Sequence, residues 1–111
     1  DRIAGLITES GSAGIERSLQ RLGLPENSPQ VETLLDKHQK KLKSISLPVL
    51  AIHGAMDNMV SIDAATELLS TIGSEKKTIE VIPKAGHNDL LMLGGEQYTK
   101  SLAKFIHENS K

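Results

Sequence analysis

Pro48-Val49-Leu50-Ala51-Ile52-His53-Gly54-Ala55-Met56-Asp57-Asn58 sets an unbroken apolar run behind a proline and closes it with a glycine and a polar loop. A run without polar alternation is what a strand needs when helices cover both faces of its sheet. Downstream, Ser61 is placed to N-cap a helix whose Ile62, Ala65, Leu69 and Ile72 share one face, and Gly73 stands where a C′ residue ends such a helix. Residues 79–82 are read as the next strand, broken by Pro83. Strand, helix and strand over 49–82 predict a βαβ unit of ordinary length, with parallel strands joined by a right-handed crossover. The carboxyl ends of both strands then open on one edge, which is where open α/β sheets hold their ligands. Two polar loops leave that edge: Gly54-Ala55-Met56-Asp57-Asn58 and Ala85-Gly86-His87-Asn88-Asp89.

Towards the amino end, residues 3–7 are a short branched apolar run closed by Ser10-Gly11-Ser12-Ala13-Gly14, read as a buried strand and its loop. Ile15, Leu19 and Leu22 keep helical spacing up to Gly23. Ser28 as N-cap and Pro29 at the first helical position then open a second helix, running roughly to Leu42. On the other side, residues 84–95 are expected to form a loop with residues 90–93 tucked onto the core. Tyr98, Leu102, Phe105 and Ile106 mark a closing helix. Alternation of strands and helices is the α/β signature.

The 111 residues amount to about one domain, and 38% hydrophobic with 24% charged is ordinary globular composition. With no cysteine in the sequence, a disulfide framework, a thiol nucleophile and cysteine-based metal sites are excluded. A net charge of −1 gives no field for recruiting nucleic acid or an anionic membrane. Lys37, Lys40, Lys41 and Lys43 around His38 lack interleaved aromatics and read as a solvated helix face. The apolar runs fall far short of the roughly 20 residues of a transmembrane helix. With neither basic n-region nor cleavage site, a cytoplasmic location is expected. The opening at Asp1, running at once into an apolar segment, is read as a cut through a larger protein.

Asp57 and His87 are the candidate catalytic residues. Taken singly, Asp57 is a turn-former and His87 a loop histidine. Topology brings them to matching ends of neighbouring strands, where a carboxylate can hold one imidazole nitrogen and leave the other to accept a proton. His53, Asp57, His87 and Asp89 could be assembled into a nitrogen and oxygen metal site, but they lack the i, i+4 helical pairing of a zincin, and neither metal nor cofactor is expected. His53 ends a buried strand and reads as a hydrogen-bonded structural residue. His38 and His107 fall on polar helix faces. Asn88 and Asp89 are placed to orient the His87 loop through its backbone.

His53-Gly54-Ala55-Met56-Asp57-Asn58-Met59-Val60-Ser61 resembles the α/β-hydrolase segment in which a strand ends in His-Gly-x-x-Asp-x-x-Val-Pro and supplies the triad acid, with Ser61 in place of the proline. Pro83-Lys84-Ala85-Gly86-His87 is similar to the family's loop carrying the catalytic histidine, and residues 3–11 resemble its strand ending in Glu-Ser. The likeness is to bacterial hydrolases without a large lid, of the serine aminopeptidase or esterase-like type. It implies that residues 1–111 are the C-terminal portion of a single α/β-hydrolase domain, with about three parallel strands and flanking helices. It also implies a serine hydrolase acting on a small-molecule carboxylic ester or related acyl substrate, with Asp57 as the triad acid and His87 as the base. Nucleophile and oxyanion hole would come from the missing N-terminal half, which becomes the expected partner, since no Gly-x-Ser-x-Gly occurs in the sequence. Ser12, between strand and helix, is the rival nucleophile. Against it, residues 15–47 show no strand, and Ser10 stands where a sharp elbow prefers glycine. A further alternative is a catalytically silent relative acting as an interaction module through its open sheet edge.

Overall fold

The computed structural model describes residues 3–11, 23 and 28–110. The helix expected over 15–22 and the rival Ser12 lie outside the described residues. Among the described residues three strands and three helices follow one another: β1 (Leu6–Glu9), α1 (Pro29–Lys43), β2 (Val49–Gly54), α2 (Ile62–Thr71), β3 (Lys77–Ile82) and α3 (Leu90–Asn109). The strands form one parallel sheet in the order β1-β2-β3, with Leu6 opposite Val49 and Val49 opposite Lys77. This is the expected α/β arrangement of three parallel strands with flanking helices.

The apolar run that decides the fold is buried at every position of β2. Its side chains divide by parity, as they must where successive residues point to opposite faces. Val49 and Ala51 pack with Leu68, Leu69 and Ile72 at α2, joined by Leu42 from α1. Leu50 and Ile52 pack with Ile82, Ala85 and Leu90, joined by Tyr98, Leu102 and Phe105 of α3. A central strand between two helical layers leaves no position for a polar side chain until His53, where the strand ends.

Local signals set the helix starts. Ser28 Oγ accepts from the Val31 amide at 3.3 Å, and Ser61 Oγ accepts from the Ala64 amide at 3.2 Å. Each satisfies one of the orphan donors of a first turn. Ser61 therefore supplies a cap where the resembling motif has proline.

Three expectations need correction. The first strand spans Leu6–Glu9 rather than 3–7, and Ile3 is 74% exposed. Pairing begins where the Leu6 amide donates to the Pro48 carbonyl, while Gly5 lies directly against the Phe105 ring. β3 starts at Lys77, two residues before the expected start, because its outer residues face solvent and need no apolar side chain. Residues 90–93 are the first turn of α3 instead of a loop, and of these only Leu90 is buried. Gly95, at φ 47 and ψ −119, kinks the helix in a conformation that glycine tolerates. Gly73 follows the C-cap Ile72, at the C′ position expected for it. A Cβ there would collide with the Lys43 carbonyl, and its amide donates to the Leu42 carbonyl at 3.2 Å.

Among the described residues, no helix is long and apolar enough to cross a membrane. The lysines at 37, 40, 41 and 43 are exposed, with Lys40 paired to Asp36 one turn away at 3.0 Å, while His38 is half-buried.

Candidate active site

The loops after β2 and β3 are stitched to one another before either reaches its candidate side chain. The Ala55 amide donates to the Ile82 carbonyl at 2.9 Å, and the Met56 amide donates to the Ala85 carbonyl at the same distance. Gly54 allows this approach, since a Cβ there would strike the Ala85 carbonyl. The chain then turns tightly, with the Asp57 amide donating to the Gly54 carbonyl at 3.2 Å.

That turn carries the Asp57 side chain into the protein, where its carboxylate is fully shielded from solvent. Both oxygens are used. Oδ1 accepts from the Met59 amide at 2.9 Å and from the Val60 amide at 2.8 Å, while Oδ2 lies 3.0 Å from His87 Nδ1. Burial by itself would push this carboxyl up. The Val60 amide, the His87 ring and the Met59 amide, together with the charge the imidazole can carry, outweigh burial and hold it below the usual carboxylate value. Asp57 is thus kept ionised and aimed.

The His87 side chain retains 28% exposure. Since an ionised carboxylate only accepts, Nδ1 is the donor in that bond, and Nε2 is the ring nitrogen left for proton exchange. The backbone of the His87 loop is fixed at successive residues. Ala85 accepts from Met56, the Gly86 amide donates to Asp89 Oδ1 at 2.5 Å, and the His87 carbonyl accepts from Ser10 Oγ at 2.9 Å. Asp89 orients this loop in the way its position in the sequence suggests, whereas Asn88 is exposed.

His53 is 1% exposed. Its Nε2 donates to the Val60 carbonyl at 2.6 Å and lies 3.5 Å from Asp57 Oδ2. It braces the turn whose amides hold Asp57, and its buried Nδ1 has no partner among the described residues. No three His, Asp or Glu side chains among the described residues are grouped as a metal site would require. His107 is exposed on α3.

Ser10 was not legible as a site residue; in the sequence it ends a strand that resembles the family's and counts against a nucleophile elbow. The available signal was positional, because a parallel sheet puts the polar end of every strand on one edge, and Glu9-Ser10 ends β1 there. Glu9 itself accepts a short hydrogen bond from the Tyr98 hydroxyl, and that bond, with partial burial, holds the Tyr98 phenol above its ordinary value.

Chemically, this geometry offers a partly exposed imidazole with Nδ1 held as donor to a buried carboxylate and Nε2 left for proton transfer. Comparison with known proteins gives it a context. The sequence model of the family described as serine aminopeptidase, S33, matches residues 30–92. The protein bem46 of Schizosaccharomyces pombe is 30% identical over 113 residues, an alignment covering 98% of this chain and 37% of that protein. Among solved structures, a monoacylglycerol lipase of Paleococcus ferrophilus superposes with a TM-score of 0.67 at 16% identity, over 98% of this chain and 60% of that one. The esterase Pf2001 of Pyrococcus furiosus does so with a TM-score of 0.68 at 16% identity, over 95% and 44%. The chain spans about a third of the length of the curated relatives it matches.

Proposed function

The chain belongs to the serine aminopeptidase S33 family within the α/β-hydrolase superfamily, and from that premise we propose that it furnishes the acid and base of a serine hydrolase acting on carboxylic esters. The observation that carries the reading is the 3.0 Å contact between buried Asp57 Oδ2 and His87 Nδ1 at the carboxyl edge of the sheet. The names of the lipase and esterase it resembles in fold favour an ester over the peptide bond that the family's description suggests.

In this reading a serine hydroxyl from outside the described residues attacks the ester carbonyl carbon, and its proton passes to His87 Nε2 as the new C–O bond forms. Asp57 stays ionised throughout and stabilises the imidazolium. When the tetrahedral intermediate collapses, the bond to the leaving alkoxide breaks and His87 returns its proton to that oxygen. Water then attacks the acyl-serine by the same route, releasing the acid and restoring the hydroxyl. The oxyanion hole, like the nucleophile, is assigned to residues outside those described.

Turnover of p-nitrophenyl butyrate by the whole protein, combined with trapping by a fluorophosphonate, tests this reading. Ester cleavage with one serine labelled, both abolished in His87→Ala, is the expected result. A whole protein that neither cleaves esters nor takes up the probe would overturn it and favour the silent interaction module. Labelling at Ser12 would keep the chemistry but move the nucleophile into this chain.

A further inference from the structure

We propose that Ser10 is a positioning residue for His87, holding the base through its backbone; the inference rests on the reading of His87 as the general base. Ser10 sits just past the end of β1, with its amide donating to the Ile52 carbonyl at 3.0 Å and its hydroxyl donating to the His87 carbonyl at 2.9 Å. With β2 lying between β1 and β3, this bond reaches across the carboxyl end of the central strand and joins residues 77 positions apart.

The backbone around this contact points to function. Ser10, at φ 56, is the one non-glycine residue with positive φ among those described. Serine has no special tolerance for the left-handed region, and a residue held there by its surroundings is a mark of a site that the structure over-determines. The conformation ends β1 in a bend, and with it the hydroxyl meets the His87 loop.

The consequence for the imidazole follows from what else is fixed. Asp57 holds the ring, Asp89 holds the Gly86 amide, and Met56 holds the Ala85 carbonyl. On the peptide plane that follows His87, the hydrogen bond to the carbonyl comes from Ser10. Without the hydroxyl this plane can rotate, the His87 backbone shifts, and the ring keeps its carboxylate partner while Nε2 moves off line. A displacement of that kind reduces the rate of the chemical step and leaves substrate binding nearly intact.

Ser10→Gly and Ser10→Ala in the whole protein test this, read by kcat, KM and thermal midpoint on p-nitrophenyl butyrate. Glycine suits the left-handed backbone and removes the hydroxyl, so its midpoint stays near the parent's. Both variants should lose about tenfold or more in kcat with KM unchanged within about twofold. Parental kcat in both, beside an inactive His87→Ala, would overturn the assignment of Ser10 alone. So would a kcat loss confined to a variant whose midpoint has also fallen, since that is what a merely structural serine gives. Parental turnover in His87→Ala would overturn the assignment of the base, and this inference with it.

Discussion

Gly54 lies so close beneath the Ala85 carbonyl that no side chain fits between them, and this contact locks the loop carrying Asp57 to the loop carrying His87. Three parallel strands only bring the two loops to one edge. The missing Cβ at the end of β2 lets them share backbone hydrogen bonds and sets the carboxylate and imidazole at bonding distance.

Gly54→Ala should therefore act on both stability and rate. The methyl group must displace backbone rather than a flexible side-chain end, an overpacking that costs about 1–3 kcal/mol. Urea denaturation should show the loss, and turnover measured well below the midpoint should fall further than the folded fraction does, because the separation of Asp57 and His87 changes.

Asp57→Asn distinguishes the acid from its neighbours. The amide keeps the shape but presents a donor or a neutral acceptor where an ionised acceptor stood, so His87 loses the partner that fixes its tautomer. The rate should drop by a factor on the order of a thousand or more. Asp63→Asn, exposed in the first turn of α2, removes only a favourable dipole interaction of about 0.3–1 kcal/mol and should leave kcat near the parent's. Parallel kinetics of the two variants check this.

Acid stability carries the signature of the same carboxylate. The folded pKa of Asp57 lies below its ordinary value, so the folded protein binds fewer protons there than the unfolded chain. Its stabilising contribution is complete above the unfolded value of about 4 and is lost as pH falls through the lower folded value. Denaturation midpoints of parent and Asp57→Asn should differ most at pH 5–7 and converge below about pH 4.

Tyr98 gives the opposite sign at the alkaline end. Glu9 and partial burial raise its phenol, so the contribution is complete below the unfolded value of about 10 and disappears as pH rises through the higher folded value. Tyr98→Phe should flatten the alkaline limb of the stability profile and leave the acid limb unchanged.

How far the sequence could be read depended on what each residue had to satisfy. β2 was legible because two helical layers demand an apolar residue at every position, and the pairing of Asp57 with His87 followed from parallel topology. The outer half of β3 was not, since Lys77 and Thr78 face solvent and are held by backbone pairing alone. Leu91, Met92 and Leu93 misled in the other direction: they are apolar, helical and exposed at 59%, 86% and 52%, so hydrophobicity there did not report burial. Gly73 was expected as the residue that follows the α2 C-cap, and it also serves a close approach by α1 that only the assembled fold reveals. The Ser10–His87 bond was hidden for a similar reason, since it depends on one dihedral angle at the end of β1.

If His87, held by Asp57, moves the proton in ester cleavage, kcat/KM of the whole protein must collapse in His87→Ala. The expected loss is of the order of a thousandfold or more, with the thermal midpoint nearly unchanged because a partly exposed loop imidazole adds little to the core. Turnover within tenfold of the parent in a folded His87→Ala protein would contradict it.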